Sequence, residues 1–566
     1  MKPSTLLLTS ILILVQVPQF ALAQWDAPAN YYSGVNGVGA TLKDQLRAAM
    51  TNGHIERRYG DFRDSAAIHD QDPDNPANII LNYDRGSVSA PWDSGQTWNR
   101  EHVWPQSRQP GSASNSSRGN LGDPFALRPI VPSINSSRGN KPFGLGDTVG
   151  DFGSLGTYWY PGDICTGDVA RSLFYSETRW SSLGLELVNG VPTGNQMGDL
   201  ASLIQWHYLD PPDEFERRRN HTIFSSEFNP NYFTNNRNAF IDRPEFVWSI
   251  YVDQANDSMI SINGGSDNGS GSSTFVVDFG SVIVGQQIPT NQSITLNKTG
   301  DAGTYFMVEL TGMATSNVEG HYNAFAMNGP SSRTIDVTLD YDPNAAAIYD
   351  GLVLIDNLDV TTQGGAGRGA NDGDDIIGLG VKVVEHSNAS FSGTANLDSL
   401  TIDLGEVPAN EPIQPVSFDI FNLASASGAD LTASLVFQSI DESPTDGFLS
   451  IDGPLFADLS ADQSQTYSIV GTPSQLGSNS TTFELTLSDE AIPGSTTQTL
   501  TISVDYEVVV TFVLGDVNCD GVTNLLDIGP FIEVLGSGTY SQKADINQDG
   551  SVNTLDIDPF VELIGS

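Results

Sequence analysis

"WNREHVWP" (Trp98–Pro105) decides how the first part of this chain is read. An arginine, a glutamate and a histidine stand together in a chain that is otherwise strongly acidic. A histidine near its ordinary pKa is a ready general base, and the carboxylate beside it suits a hard cation. Adjacent strand residues point to opposite faces, so Glu101 and His102 act together only at a strand end or a bend. Pro105 fits a strand that stops here. The bland alternative is a solvated loop with one satisfied histidine. Alone, the stretch lacks a second oxygen ligand and a clamp for an anion. "LRPIVPSINSSRGNKPFG" (Leu127–Gly144) offers Asn135 among small polar residues, with Arg128 and Arg138 on either side. "GDVARSLFY" (Gly167–Tyr175) places Arg171 at helical spacing, and Arg100 directly precedes the pair.

The chain around this stretch is long and uneven. Its 566 residues exceed what one core supports, and about three to four domains are expected. Residues 1–23, "MKPSTLLLTSILILVQVPQFALA", have the form of a secretory signal: Lys2, a short apolar run and a small-residue cleavage site. That run is too short to span a bilayer, so a secreted or periplasmic protein without membrane insertion is expected. Two cysteines, Cys165 and Cys519, cannot build a disulfide framework. The net charge of −44 is concentrated at the far end. Residues 24–255 hold 19 Lys and Arg against 27 Asp and Glu, whereas residues 256–566 hold 5 against 42. A polyanion could bind only the first part, and there only at a local basic cleft.

Residues 24–255 mix helical patterns, such as "LKDQLRAAM" (Leu42–Met50) and "GDVARSLFYSETRW" (Gly167–Trp180), with loops rich in Gly, Asn and Pro. Residues 256–274, around "NGGSDNGSGSS", have the composition of a flexible Gly/Ser linker. Two all-β stretches come next, 275–386 and 387–511, opening on "FVVDFGSVIVG" and "SLTIDLGEVPA". Short alternating runs between turn residues predict two immunoglobulin-like sandwiches, and the shared Asp-x-Gly-x-Val opening suggests duplication.

The tail, 515–566, is a second repeat. "DVNCDGVTNLLD" (Asp516–Asp527) and "DINQDGSVNTLD" (Asp545–Asp556) set oxygen side chains at positions 1, 3, 5, 9 and 12, with glycine at 6. That is calcium-loop spacing. The candidate ligands are Asp516, Asn518, Asp520, Val522 (through its carbonyl), Asn524 and Asp527, then Asp545, Asn547, Asp549, Ser551, Asn553 and Asp556. Each loop runs into a short apolar helix. The pair resembles a type I dockerin module, which implies a small α, EF-hand-type unit that folds on two Ca²⁺ and docks on a cohesin-like protein.

In the first part, "NREHVWPQS", "LRPIVPSINSSRGNKPFG", "GDVARSLFY", "LIQWHYLDPPDEFERRRNHTIF" and "NRNAFIDRPEFV" occur in the order found in the bacterial endonuclease I family. The resemblance covers almost all of 24–250. It implies an α+β, ββα-metal (His-Me finger) nuclease domain with His102 as general base and Glu101 and Asn135 as ligands of one Mg²⁺. Arg171 would steady the scissile phosphate, and Arg100, Arg128 and Arg138 are further phosphate candidates. An all-oxygen ligand pair favours Mg²⁺, Mn²⁺ or Ca²⁺ over Zn²⁺. The expected activity is sequence-nonspecific hydrolysis of DNA, with RNA open, to 5′-phosphate products; no sequence-reading motif is visible. The competing expectation is a structural or adhesive extracellular protein with an inactive nuclease-like part. His54, His69, His221, His321 and His386 have no motif, and His207 is expected to pack. The "ERRRN" run (Glu216–Asn220) is read equally as a charged helix face or a phosphate strip.

Overall fold

The computed structural model describes residues 25–144, 150–252, 254–288, 291–358, 372–445, 447–510 and 512–565. The expected leader, 1–23, lies outside them. Contacts divide the chain into two compact units, residues 1–279, 289–341 and 349–380 forming one and residues 280–288, 342–348 and 381–566 the other. Among the described residues no helix is long and apolar enough to cross a membrane.

The main elements of the first unit, in chain order, are α1 (Gly39–Thr51), α2 (Phe62–His69), β1 (Asn99–His102), β2 (Leu127–Ile130), α3 (Pro132–Arg138), α4 (Thr166–Arg179), α5 (Leu200–Leu209) and α6 (Glu214–Phe224). Leu42, Leu46 and Met50 recur at helical spacing and form the buried face of α1. Every residue of α4 is buried, with α1 and α5 packed against it. A helix this enclosed has to satisfy its own charges. Arg171 does so through Glu216 on α6 and the carbonyl of Asp210. Gly167 makes room for that bond: a Cβ there would meet the Asp210 oxygen at 1.9 Å. In α3 the local signals suffice, since Pro132 occupies the first turn and Gly139, at φ +61°, ends it.

The Gly/Ser composition of 256–274 misleads. Instead of a linker, Met259–Ile262, Ser266–Gly269 and Ser272–Ile283 are strands. Ser273 is held by Asp375, its backbone N–H and hydroxyl both bonding the carboxylate. Long-range pairing supplies the order that composition withholds. These strands enter two sheets. One has six strands in the order 266–269, 272–283, 375–384, 347–358, 304–312, 320–325; the other has four, in the order 314–316, 331–339, 292–299, 259–262. This β region shares a core with the helical part. Ala302, Tyr305 and Leu358 cluster with Leu203, Trp206, Tyr208 and Trp248. The Tyr305 hydroxyl donates to the His207 carbonyl at 2.6 Å. The expectation that 24–255 stands apart from the β region after it is therefore corrected by packing.

The second unit holds two further four-stranded sheets, ordered 389–390, 416–422, 464–471, 449–452 and 399–408, 497–509, 477–489, 435–443. Phe418, Ile420 and Ile469 from the first meet Phe483, Leu485, Ile502 and Val504 from the second in one core. Residues 399–408 run parallel to 497–509, while the other pairs within these sheets that have a described register are antiparallel. In the tail, helices Ile528–Ser537 and Ile557–Gly565 meet through Phe531 and Phe560, stacked at 4.1 Å. Asn524 and Asp527, and likewise Asn553 and Asp556, form capping boxes that start those helices.

Candidate active site

β1 and β2 pair antiparallel, Glu101 opposite Arg128 and His102 opposite Leu127. α3 comes directly after β2, so two strands and a helix carry the nominated residues other than Arg171, which lies on α4. β1 ends at His102, as the proline signal suggests. Alternation puts Asn99 and Glu101 on one face and Arg100 and His102 on the other.

The first face looks onto α3. Asn135 donates its amide to Asn99 Oδ1 at 2.7 Å and to the Arg100 carbonyl at 3.4 Å, which leaves its own Oδ1 as an acceptor. One turn on, Arg138 bridges Glu101 Oε1 at 3.0 Å and donates to the carbonyls of His102 and Val103. Tyr83 adds a hydroxyl to the same Glu101 oxygen at 3.1 Å. It does so from a left-handed backbone conformation, φ +67°, which costs about 1–2 kcal/mol in a residue of this size. Glu101 is 1% exposed. Burial raises its pKa, and Arg138 and then Tyr83 draw it back. The result is an oriented carboxylate and a side-chain amide oxygen on the face that meets α3, both of them hard donors.

On the second face His102 is clamped twice. Nε2 lies 3.1 Å from the Leu121 carbonyl, and the ring stacks on Tyr59 at 4.9 Å with 23° between planes. A carbonyl only accepts, so Nε2 carries the proton and Nδ1 keeps its lone pair. Burial first pushes the imidazole pKa down to about 4; the Leu121 bond opposes this, while Arg100 and Arg138 add to it. At neutral pH the ring is a free base.

The arginines sort differently from their sequence nomination. Arg100 is half-buried, its guanidinium 3.7 Å over the Tyr59 ring, and it stays at the site. The phosphate-facing roles suggested for Arg171, Arg128 and Arg138 do not fit their positions. Arg171 is fully buried on Glu216 and the Asp210 carbonyl. Arg128 is buried against Asp168 at 3.3 Å, and Arg138 is spent on Glu101 and backbone carbonyls. Desolvated guanidinium groups need such partners, and with them in place none faces an incoming anion. "ERRRN" resolves the same way at Arg219, which is buried on Asp70 and two carbonyls. His207 packs, as expected, on Tyr305 and the Pro244 carbonyl.

A basic rim replaces them. The segment Glu56–Arg63 lies against the loop 112–118 through Gly60 N to Asn115 O and Tyr59 N to Ser117 O. It brings Arg57, Arg58 and Arg63 near Arg100 and Arg118, and Arg58 and Arg118 are exposed. Burial first, then the charge of Arg118, lowers the Arg57 pKa; burial and Arg63 lower that of Arg100. Five guanidinium groups meet three carboxylates of the same stretch, Glu56, Asp61 and Asp64, so the local charge is positive in a part whose total is negative. "ERRYGDFR" (Glu56–Arg63) is the signal that could have found this rim. Tyr83, Asn99 and Leu121 carried no such signal, since their roles arise from tertiary contact alone.

In the tail, carboxylate oxygens of Asp516, Asp520 and Asp527 lie within 4.8 Å of one another. The two loops share their bonds: Asn518 N to Asp527 and Asn547 N to Asp556, Asp520 N to Asp516 and Asp549 N to Asp545. They differ at one cation, Lys543, whose Nζ lies 2.9 Å from Asp516 Oδ2. Cys519 is a free, exposed thiol.

Residues 39–245 match the family model of endonuclease I, and residues 514–559 match that of the dockerin type I domain. Over 257 residues the chain is 34% identical to the extracellular ribonuclease of Bacillus subtilis (strain 168), covering 43% of this chain and 84% of that protein. Over 234 residues it is 33% identical to the extracellular ribonuclease of Bacillus amyloliquefaciens, covering 39% and 78%.

Proposed function

The chain belongs to the endonuclease I family and is a nuclease, and from that premise we propose that it is exported and cuts DNA and RNA without sequence preference, by metal-assisted attack of water that leaves 5′-phosphate ends. The observation that carries this is the fixing of His102: Nε2 is committed to the Leu121 carbonyl and the lone pair on Nδ1 is free to take a proton from water. Glu101 and Asn135 would hold the cation, Mg²⁺ or Mn²⁺, and their all-oxygen chemistry fits a hard ion. When bound, that ion supplies charge to the phosphoryl oxygens and to the departing 3′ oxygen. The chain's own residues do the rest. Arg138 and Tyr83 keep the Glu101 carboxylate in place, and Asn99 turns the Asn135 amide. Arg100 and the exposed rim arginines hold flanking phosphates, a contact that carries no sequence information.

RNA stands beside DNA because both relatives are named ribonucleases. A water nucleophile needs no 2′-hydroxyl, so the same site serves both polymers. Export is supported by the form of residues 1–23 and by the relatives' description as extracellular. For the tail we infer two bound Ca²⁺ and a cohesin-type protein partner. The matched dockerin model and exposed apolar side chains such as Leu525, Leu526 and Leu555 support it. The contacts made by Glu101, His102 and Asn135 favour the nuclease reading over a structural or adhesive one.

The test is cleavage of supercoiled plasmid and of structured RNA, with and without EDTA, and then end analysis. Cutting of both polymers, abolished by EDTA and leaving 5′-phosphates, is expected. Metal-independent cutting of RNA alone to cyclic phosphates would replace water by the 2′-hydroxyl as nucleophile and end this mechanism.

A further inference from the structure

We propose that Tyr59 is a positioning residue for the reaction, its ring fixing the plane of the His102 imidazole. This rests on the role given to His102 above. The Nε2 bond to Leu121 holds one atom of that ring but leaves it free to tilt about the bond. The second constraint is the Tyr59 face, nearly parallel at 4.9 Å. A one-point hydrogen bond and a flat stack together define both where Nδ1 sits and where its lone pair points.

Tyr59 is itself held for this purpose. Its backbone N–H donates to the Ser117 carbonyl at 2.8 Å, and its carbonyl accepts from Arg100 Nη1 at 2.8 Å. The Arg100 guanidinium also lies over the ring, 3.7 Å from its centre. Arg100 and His102 are two apart on one strand and so share a face. One tyrosine ring thus meets the base and the nearest cation together. Close approach is secured at Gly122, where a Cβ would come within 3.0 Å of Tyr59 N and 2.3 Å of the Arg57 carbonyl. Nothing in this arrangement calls on the phenol oxygen. The ring is what acts.

The experiment is steady-state kinetics of the full chain on plasmid DNA, with melting temperature recorded for each variant. Tyr59→Phe should stay within about twofold of wild type. Tyr59→Ala should lower kcat by roughly 10- to 100-fold while KM moves less than about threefold, the size of loss that a misplaced catalytic group gives. Tyr59→Leu, which fills the space without a flat face, keeps the test alive if the alanine variant loses its fold. In a His102→Ala background, adding Tyr59→Ala should change kcat by less than about twofold, because the residue acts through the base. A Tyr59→Phe loss as large as that of alanine would assign the hydroxyl a chemical role and overturn the proposal. So would a rise in KM alone, which would mark a substrate contact, or a full additional loss on top of His102→Ala. If His102→Ala by itself keeps wild-type turnover, the base assignment fails and the positioning role of Tyr59 falls with it, whereas failure of the Tyr59 variants alone leaves the base assignment standing.

Discussion

The nuclease site and the tail loops both gather oxygen atoms suited to a hard cation, by opposite routes. Each loop draws its candidate ligands from twelve consecutive residues, and their own backbone N–H groups brace the carboxylates. The candidate nuclease site draws Tyr59, Tyr83, Glu101, His102, Leu121, Asn135 and Arg138 from separate segments of the chain. The first kind of site is written locally and can be moved as a module. The second exists only while the surrounding core is intact, and that core extends into the first β region.

The largest effect that could break this comparison is chemical. His102→Ala should reduce turnover by about 10²–10⁴-fold on either polymer while substrate affinity and melting temperature stay close to wild type. A variant of near-normal rate would leave the nuclease site without its base.

Stability comes next. Tyr305→Ala should cost about 3–5 kcal/mol, the usual range for truncating a large buried aromatic. Residues 25–255 expressed alone should lose cooperative unfolding, because Leu203, Trp206 and Tyr208 would lose partners in their cluster. Denaturant titration of the fragment and of the full-length variant checks both. A fragment that melts as a stable cooperative body would restore the independence that composition suggested.

A smaller effect separates the two tail loops. Both Asp516 and Asp545 accept from backbone N–H groups, but Asp516 also meets the Lys543 ammonium at 2.9 Å, whereas Asp545 meets the neutral Tyr540 hydroxyl. The two sites should therefore fill in sequence, the second loop first. Lys543→Met should raise the affinity of the first loop by roughly fivefold, in line with about 1 kcal/mol for a partly exposed ion pair. Calorimetric Ca²⁺ titration of both forms in the full chain reads this. Equal affinities in the wild type would mean that the lysine swings away at no cost.

The smallest expected effect is a displacement along the pH axis. Burial holds the His102 pKa near 4, below the ordinary histidine value of 6.5. The base is active when neutral, so turnover should persist through pH 5–6 and fall only as pH drops through about 4. The unfolded chain binds this proton more readily, so the same group makes stability rise with pH between about 4 and 6.5. An acid limb centred at 6.5 would indicate that substrate or metal opens the ring to water.

How far the sequence could be followed depends on the same distinction between local and distant contact. "DVNCDGVTNLLD" and "DINQDGSVNTLD" gave the loop and the helix after it, and the structure adds that residues 9 and 12 of each loop, both candidate ligands, also form the capping box. "NREH", with Pro105 shortly after it, placed the strand and its end. The alternating runs after residue 275 placed the strands, but did not indicate that 399–408 would pair in parallel with 497–509. The arginines resisted for a physical reason. A guanidinium has the same sequence signature whether it faces a phosphate or neutralises a buried carboxylate, and only burial tells them apart. Arg128, Arg138 and Arg171 fell on one side of that line, Arg58 and Arg118 on the other.

By itself the sequence marked the endonuclease-like and dockerin-like segments and the calcium-loop spacing, through motif order and short-range periodicity, and the family resemblance nominated Glu101, His102 and Asn135. Tertiary structure alone decided which arginines stay near solvent and that Tyr59 and Leu121 meet the His102 ring. It also decided that a glycine- and serine-rich stretch is sheet rather than tether. Those outcomes depend on partners tens to hundreds of residues away. The desolvation and pairing energies that select them arise only when distant segments meet.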